Sequence, residues 1–194
     1  MRSLPLTPEA LISAYMQGVF PMDVQGQIQW FSPDPRAILE LDDFRTSRTL
    51  RQLVRTGKFE IQIDTQFEAV MRACADRPDG TWISEEIITA YCELHRLGLA
   101  HSVESWRDGE LAGGLYGVAI GGAFFGESMF HRRTDASKVA LVALVERMRA
   151  RNFTLLDIQF LTEHLERFGA VEIPRRTYLR RLREALAVET TFRD

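Results

Sequence analysis

Residues 101–131, HSVESWRDGELAGGLYGVAIGGAFFGESMFH, decide the fold. The stretch breaks at Asp108-Gly109 and Gly121-Gly122, dipeptides that tolerate positive φ and are favoured in tight hairpin loops. Three strands follow from those breaks: HSVESWR, ELAGGLYGVAI and AFFGESMF. A helix from about Ser137 to Ala150 comes next, then a further apolar run of strand length, FTLLDIQF. The order is therefore an antiparallel meander followed by strand–helix–strand. That order gives an α/β (α+β) mixed sheet in which the last strand returns beside the meander.

The region before the meander is mainly helical. Thr7 reads as an N-cap with Pro8 at the first helical position. Leu11, Ile12, Tyr15 and Met16 then follow helical spacing, and Gly18 stops the helix. Phe20 to Pro35 reads as a loop holding Trp30 and Phe31, and AILELD as a short strand. Residues 46–56 are helical, with Leu50, Leu53 and Val54 opposite the arginines. Phe59, Ile61 and Ile63 alternate with polar residues, as a half-buried strand does. Asp64 reads as the cap of a helix carrying Phe67, Val70 and Met71. Ser84 reads as the cap of a longer helix closed by Gly98. After the central sheet come a short helix near Leu161 to Arg167, a break at Gly169 and a final helix from Pro174.

Composition narrows the possible function. The chain has 194 residues, 45% of them hydrophobic, with a formal net charge of −3. That suits one large domain, or a domain with a small appendage. It excludes a protein coated in nucleic-acid-binding charge. No stretch reaches bilayer length, and no long apolar run follows Met1–Pro5 as in a signal peptide. The two cysteines, Cys74 and Cys92, form no CxxC pair. A disulfide framework or zinc ribbon is therefore unsupported, and a reducing cytoplasm is expected. His95, His101, His131 and His164 show no metal-ligand spacing. Arginines cluster at Arg45, Arg48, Arg51 and Arg55, and again at Arg175, Arg176, Arg180, Arg181 and Arg183. Each cluster is either a solvated helix face or a local phosphate patch.

Three polar residues interrupt otherwise apolar strands. They are Glu127 in AFFGESMF and Asp157 and Gln159 in FTLLDIQFL. Carboxylates are rarely buried unless something pairs with them or uses them. The group reads as a catalytic pocket with apolar walls, or more plainly as a satisfied buried polar cluster. N-acetyltransferases share the order of elements. Their Gln/Arg-x-x-Gly-x-Gly/Ala turn, which holds coenzyme A, is not found after the meander.

A collinear set of words runs from about residue 11 to 182: AYMQGVFPM, WFSPDPRAIL, GTWI, AYCELHRLGLAHSVESW, GELAGGLYGVAIGGAFFGESMFHR, ASKVAL, LLDIQ and GAVEIPRRTYL. In these words the chain resembles the leucyl/phenylalanyl-tRNA–protein transferases. The resemblance implies an enzyme that takes leucine or phenylalanine, or methionine, from aminoacyl-tRNA. It moves that residue to the N-terminal arginine or lysine of a protein and so marks the protein for degradation. It implies an N-acetyltransferase-like catalytic domain, here 59–194, after a small and trimmed N-terminal domain, here 1–58. No metal, cofactor or membrane is implied. Among the matching positions, Asp157 and Gln159 act on the attacking amine, either as a proton relay or as orienting groups. Glu127 lies near the α-amino group of the transferred residue.

The same resemblance makes Tyr91, Leu115, Phe124, Met129, Leu141, Leu144, Met148 and Leu156 the pocket for the donor side chain. By spacing alone those residues are ordinary core. Trp82 matches a ring that stacks on the terminal adenine, and otherwise reads as a loop anchor. Arg48, Arg51 and Arg55 share one helical side, expected to meet the tRNA acceptor stem. Met22 stands where the family commonly has a second adenine-contacting tryptophan. Two other readings remain: an acyl-coenzyme A-dependent N-acyltransferase on the same fold, and a non-enzymatic receptor for N-terminal degradation signals.

Overall fold

A computed structural model describes residues 6–193. Met1–Pro5, where the sequence predicts no signal peptide, and Asp194 lie outside the described residues. The chain begins with helix α1 (Pro8–Met16), strands β1 (Phe20–Val24), β2 (Gln27–Phe31) and β3 (Arg36–Leu39), and helix α2 (Arg48–Arg55). Strand β4 (Glu60–Ile63), helices α3 (Phe67–Ala75) and α4 (Glu85–Arg96), and strands β5 (Ala100–Arg107), β6 (Glu110–Ile120) and β7 (Ala123–His131) follow. Helix α5 (Ala136–Ala150), strand β8 (Leu155–Gln159), helix α6 (Glu163–Glu166), strand β9 (Ala170–Ile173) and helix α7 (Arg175–Leu186) complete it.

The meander forms as the turn residues require. Asp108 and Gly109 both adopt positive φ, 54° and 78°, and join antiparallel β5 and β6. Gly121, at φ 53°, helps to join β6 and β7. Helix α5 then returns the chain so that β8 runs parallel to β7, with Phe125 beside Asp157. The full sheet has seven strands in the order β4-β5-β6-β7-β8-β3-β9. Strand β3, which precedes residue 58, lies inside this sheet, antiparallel to β8 and β9.

Side chains alternate across the sheet and fill two cores. On β6, Tyr116 and Val118 face α1, α3, α4 and α7, while Leu115 and Ala119 face α2 and α5. A bulge after Tyr116 brings Gly117 so close to β7 that a Cβ there would lie 2.2 Å from the Phe125 carbonyl oxygen. Phe192, from the C-terminal segment, closes the second core against Phe124 at 5.0 Å between ring centres.

Several local expectations need correction. Phe20 to Pro35 is not a plain loop: β1 and β2 pair as a hairpin turned by Gln25 and Gly26, at φ 56° and 78°. Pro21 inside β1 and the mixed polarity of β2 hide the pattern. Strand β9, four residues long, was not legible either. Asp64 does not cap α3. It sits at φ 60° and accepts from Ser102 N at 2.9 Å, with His101 Nδ1 at 2.8 Å. The α3 N-terminus is served instead from β5, where Glu104 accepts from Thr65 N and Gln66 N at 3.0 and 2.7 Å. Ser84 occupies the N-cap of α4, but its side chain makes no capping bond. Thr7 caps α1 as expected, accepting from Ala10 N at 3.3 Å. Among the described residues no helix is long and apolar enough to cross a membrane.

Candidate active site

Because Phe125 sits beside Asp157 in the parallel β7–β8 pair, Glu127 and Gln159 emerge together, two residues further along each strand. Both line a cavity of about 590 Å³. Gln159 is bent there by its backbone, at φ 59°, a conformation costly for a long side chain and concentrated at functional sites. Its Nε2 donates to Glu127 Oε1 at 3.1 Å, and the Tyr15 hydroxyl donates to the same oxygen at 2.7 Å. Among the described residues Glu127 Oε2 accepts no hydrogen bond.

Burial is the main reason the Glu127 carboxyl is pushed up to about 8, and the nearby Asp157 charge adds to it. The Tyr15 and Gln159 hydrogen bonds and Arg36 pull the other way. Tyr15 is raised well above its ordinary value, first by burial and then by Glu127, so it remains a neutral donor. Tyr91 hydrogen-bonds the Tyr15 hydroxyl from behind.

Asp157 is built differently. It is 0% exposed, and four donors converge on it. Arg36 Nε meets Oδ1 at 2.9 Å and Arg36 Nη2 meets Oδ2 at 2.6 Å, a bidentate pair. Tyr178 OH donates to Oδ2 at 2.7 Å and Gln159 N to Oδ1 at 2.9 Å. Arg36 is 1% exposed and lies between the rings of Phe20 and Tyr178, at 4.8 and 4.5 Å. Burial pushes the guanidinium down, but hydrogen bonding and attraction from Asp157 outweigh it and hold it above its ordinary value. Arg36 Nη1 also donates to the Gly18 carbonyl at 3.0 Å. Gly18 must be glycine: its φ is 73°, and a Cβ would lie 2.8 Å from the Tyr178 ring. Asp157 therefore anchors the floor of the site and does not line the cavity.

The other expected residues divide by place. Met129, Leu141, Trp82 and Met22 line the cavity. The main chain links the last two, with Asp23 N donating to Trp82 O at 3.2 Å. Leu115, Phe124, Leu144, Met148 and Leu156 are buried in the second core, the one that Met129 and Leu141 also join. Tyr91 is on the opposite face of the sheet, in the first core, and reaches the cavity only through Tyr15 and Glu127. Arg48, Arg51 and Arg55 are exposed on α2, while Leu50 is buried and Leu53 and Val54 pack on the second core. No group of three or more His, Cys, Asp or Glu that could hold a metal exists among the described residues.

Arg36, Tyr15 and Tyr178 escape a reading of sequence alone. A signal for Arg36 existed: an aspartate inside an apolar strand demands a cation, and Arg36 opens the apolar strand RAIL.

Two family models match the chain: leucyl/phenylalanyl-tRNA protein transferase over residues 38–183, and the N-terminal domain of that family over residues 5–34. A leucyl/phenylalanyl-tRNA–protein transferase of Gloeobacter violaceus is 61% identical over 190 residues, 97% of this chain and 98% of the relative. That of Rubrobacter xylanophilus is 59% identical over 189 residues, 96% and 98% of the two chains. Similar solved structures include the C-terminal domain of a putative lysylphosphatidylglycerol synthetase from Agrobacterium fabrum. It is 13% identical with a TM-score of 0.44, over 91% of this chain and 62% of that one. A ribosomal-protein-alanine N-acetyltransferase from Brucella melitensis is 15% identical with a TM-score of 0.39, over 56% and 85%. By its matched family models and its identity to these relatives, this chain belongs to the leucyl/phenylalanyl-tRNA–protein transferases, a family of aminoacyltransferase enzymes.

Proposed function

We propose that the enzyme moves leucine, phenylalanine or methionine from aminoacyl-tRNA to the α-amino group of a protein beginning with arginine or lysine, marking that protein for degradation in the cytoplasm. One observation carries this reading: the Glu127 carboxyl, the Gln159 amide, the apolar side chains of Met129 and Leu141, and the Trp82 ring share a single cavity. Met129 and Leu141 contact the donor side chain. Leu115, Phe124, Leu144, Met148 and Leu156 form the wall behind them. Flexible, polarisable walls suit side chains of differing shape. Trp82 stacks on the terminal adenine, with Met22 covering it. The arginines of α2, in the proposed N-terminal domain, meet the acceptor stem.

The chemistry asks little of the protein. The ester of aminoacyl-tRNA is already activated, so alignment and charge placement are enough. The acceptor amine nitrogen bonds to the ester carbonyl carbon. The bond from that carbon to the ribose oxygen breaks, and the ribose oxygen takes up the proton that the amine nitrogen sheds on becoming an amide. Glu127, protonated in the empty site, gives up its proton when the α-ammonium of the transferred residue enters the cavity and pairs with it, and Gln159 orients the attacking amine. Asp157, saturated by Arg36, Tyr178 and the Gln159 main chain, has no open lone pair toward the reaction. Its role is to orient Gln159, and it is not the base.

Acceptor choice tests the proposal. Peptides beginning with arginine, lysine or alanine, each mixed with the enzyme and charged Leu-tRNA, should give a leucylated product with the first two and none with the third. Equal product from all three would refute this acceptor assignment.

A further inference from the structure

Among the described residues, the rim of the cavity carries one full cation, Arg77, without a counter-charge. Two full cations line the cavity, Arg77 and Lys138. Lys138 is paired with Asp135 at 2.7 Å. Arg77, exposed in the loop that leads to Trp82, has no carboxylate within ion-pair distance among the described residues. Its guanidinium is nevertheless held still. Nε donates to the Cys74 carbonyl at 3.0 Å, and Nη2 donates to Ser128 Oγ at 2.8 Å and to the Met129 carbonyl at 3.4 Å. Among the described residues Nη1 has no acceptor. Ser128 and Met129 directly follow Glu127 on β7, and Trp82 is five residues beyond Arg77. The fork is therefore fixed between the two groups that receive the ends of an aminoacyl-adenosine, with one edge open.

A fixed, uncompensated guanidinium selects an anion. The acceptor does not supply one, because its first residue is cationic. The donor's nearest formal negative charge is the phosphodiester on the 5′ side of its terminal adenosine. Resting on the proposed transfer reaction, we infer that Arg77 holds the phosphodiester linking the terminal adenosine of the donor tRNA to the preceding nucleotide. This contact reads no base and applies equally to leucine and phenylalanine donors.

The test compares two small donors with an arginine-initiated peptide as acceptor: leucyl-adenosine, which has no phosphate, and leucyl-cytidylyl-adenosine, which has one phosphodiester. The readout is the ratio of their KM values. In the wild type the dinucleotide should have a KM about tenfold lower, the size of one charged hydrogen bond. Added salt should erode that advantage. Arg77→Gln should bring the ratio close to one. Arg77→Lys should keep part of it, since charge survives and the fork is lost. A wild-type ratio near one, or a ratio that persists in Arg77→Gln, overturns the inference. Parallel shifts of both KM values count as persistence and would make Arg77 a strut. Should Arg77→Gln fail to fold, Arg77→Lys decides: a ratio undiminished from the wild type's overturns the inference, and a partial loss supports it. Failure of the wild type to transfer even from intact Leu-tRNA would instead remove the reaction on which the inference rests.

Discussion

Replacing Glu127 by glutamine separates what its proton does for stability from what its carboxylate does for transfer. The amide keeps an oxygen for Tyr15 and Gln159, which meet Oε1 at 2.7 and 3.1 Å. Burial holds the native carboxyl at about 8, against an ordinary 4.5. Between those values the folded protein keeps a proton that the unfolded chain has released. Wild-type stability therefore falls as pH rises from 4.5 to about 8 and is level above that. At 1.36 kcal/mol per pH unit the ceiling is ~5 kcal/mol. Water entering the open cavity reduces it, so the expected loss from this one group is ~2–4 kcal/mol between about pH 5 and pH 9. Glutamine does not titrate and escapes the loss. Urea unfolding of both proteins across that range should show the gap in stability widening in favour of the variant. A gap that stays constant with pH would refute the account of Glu127.

The buried pair beneath the cavity gives a second prediction. Arg36→Met should destabilise by ~3–5 kcal/mol by stranding Asp157, and adding Asp157→Leu should recover much of that, as read by urea unfolding. Trp82→Ala should weaken binding of a non-hydrolysable aminoacyl-adenosine by ~1–3 kcal/mol and Met22→Trp should tighten it; no change in either would move the adenine elsewhere. Alanine at Arg48, Arg51 and Arg55 together should raise KM for charged tRNA and flatten its salt dependence. If both stay as in the wild type, the acceptor stem lies on another surface.

The central sheet was legible because its turns are written in residues that tolerate positive φ, and because α5 spans the right length to return β8 beside β7. The hairpin β1–β2 was not, since Pro21 and a half-exposed surface remove the alternation that marks a strand. The polar interruptions Glu127, Asp157 and Gln159 stood out in sequence, but their division of labour did not. Which carboxylate faces the cavity and which is saturated depends on Arg36 and Tyr178. These are 121 and 21 residues from Asp157 in the chain, and no local pattern joins them. Tyr91 was likewise visible as a helix residue, while its place behind Tyr15 follows only from the packing of α4 on α1.

Label transfer from radiolabelled Leu-tRNA to an arginine-initiated peptide tests the central claim most directly, with the wild type measured beside Glu127→Gln and Gln159→Asn. Asparagine is chosen because it tolerates the positive φ of that position while drawing the amide back by one methylene. Leucine on the peptide α-amino group is expected with the wild type, and a fall of ~10²-fold or more in both variants. Wild-type rates in both, or no transfer by the wild type itself, would contradict that claim.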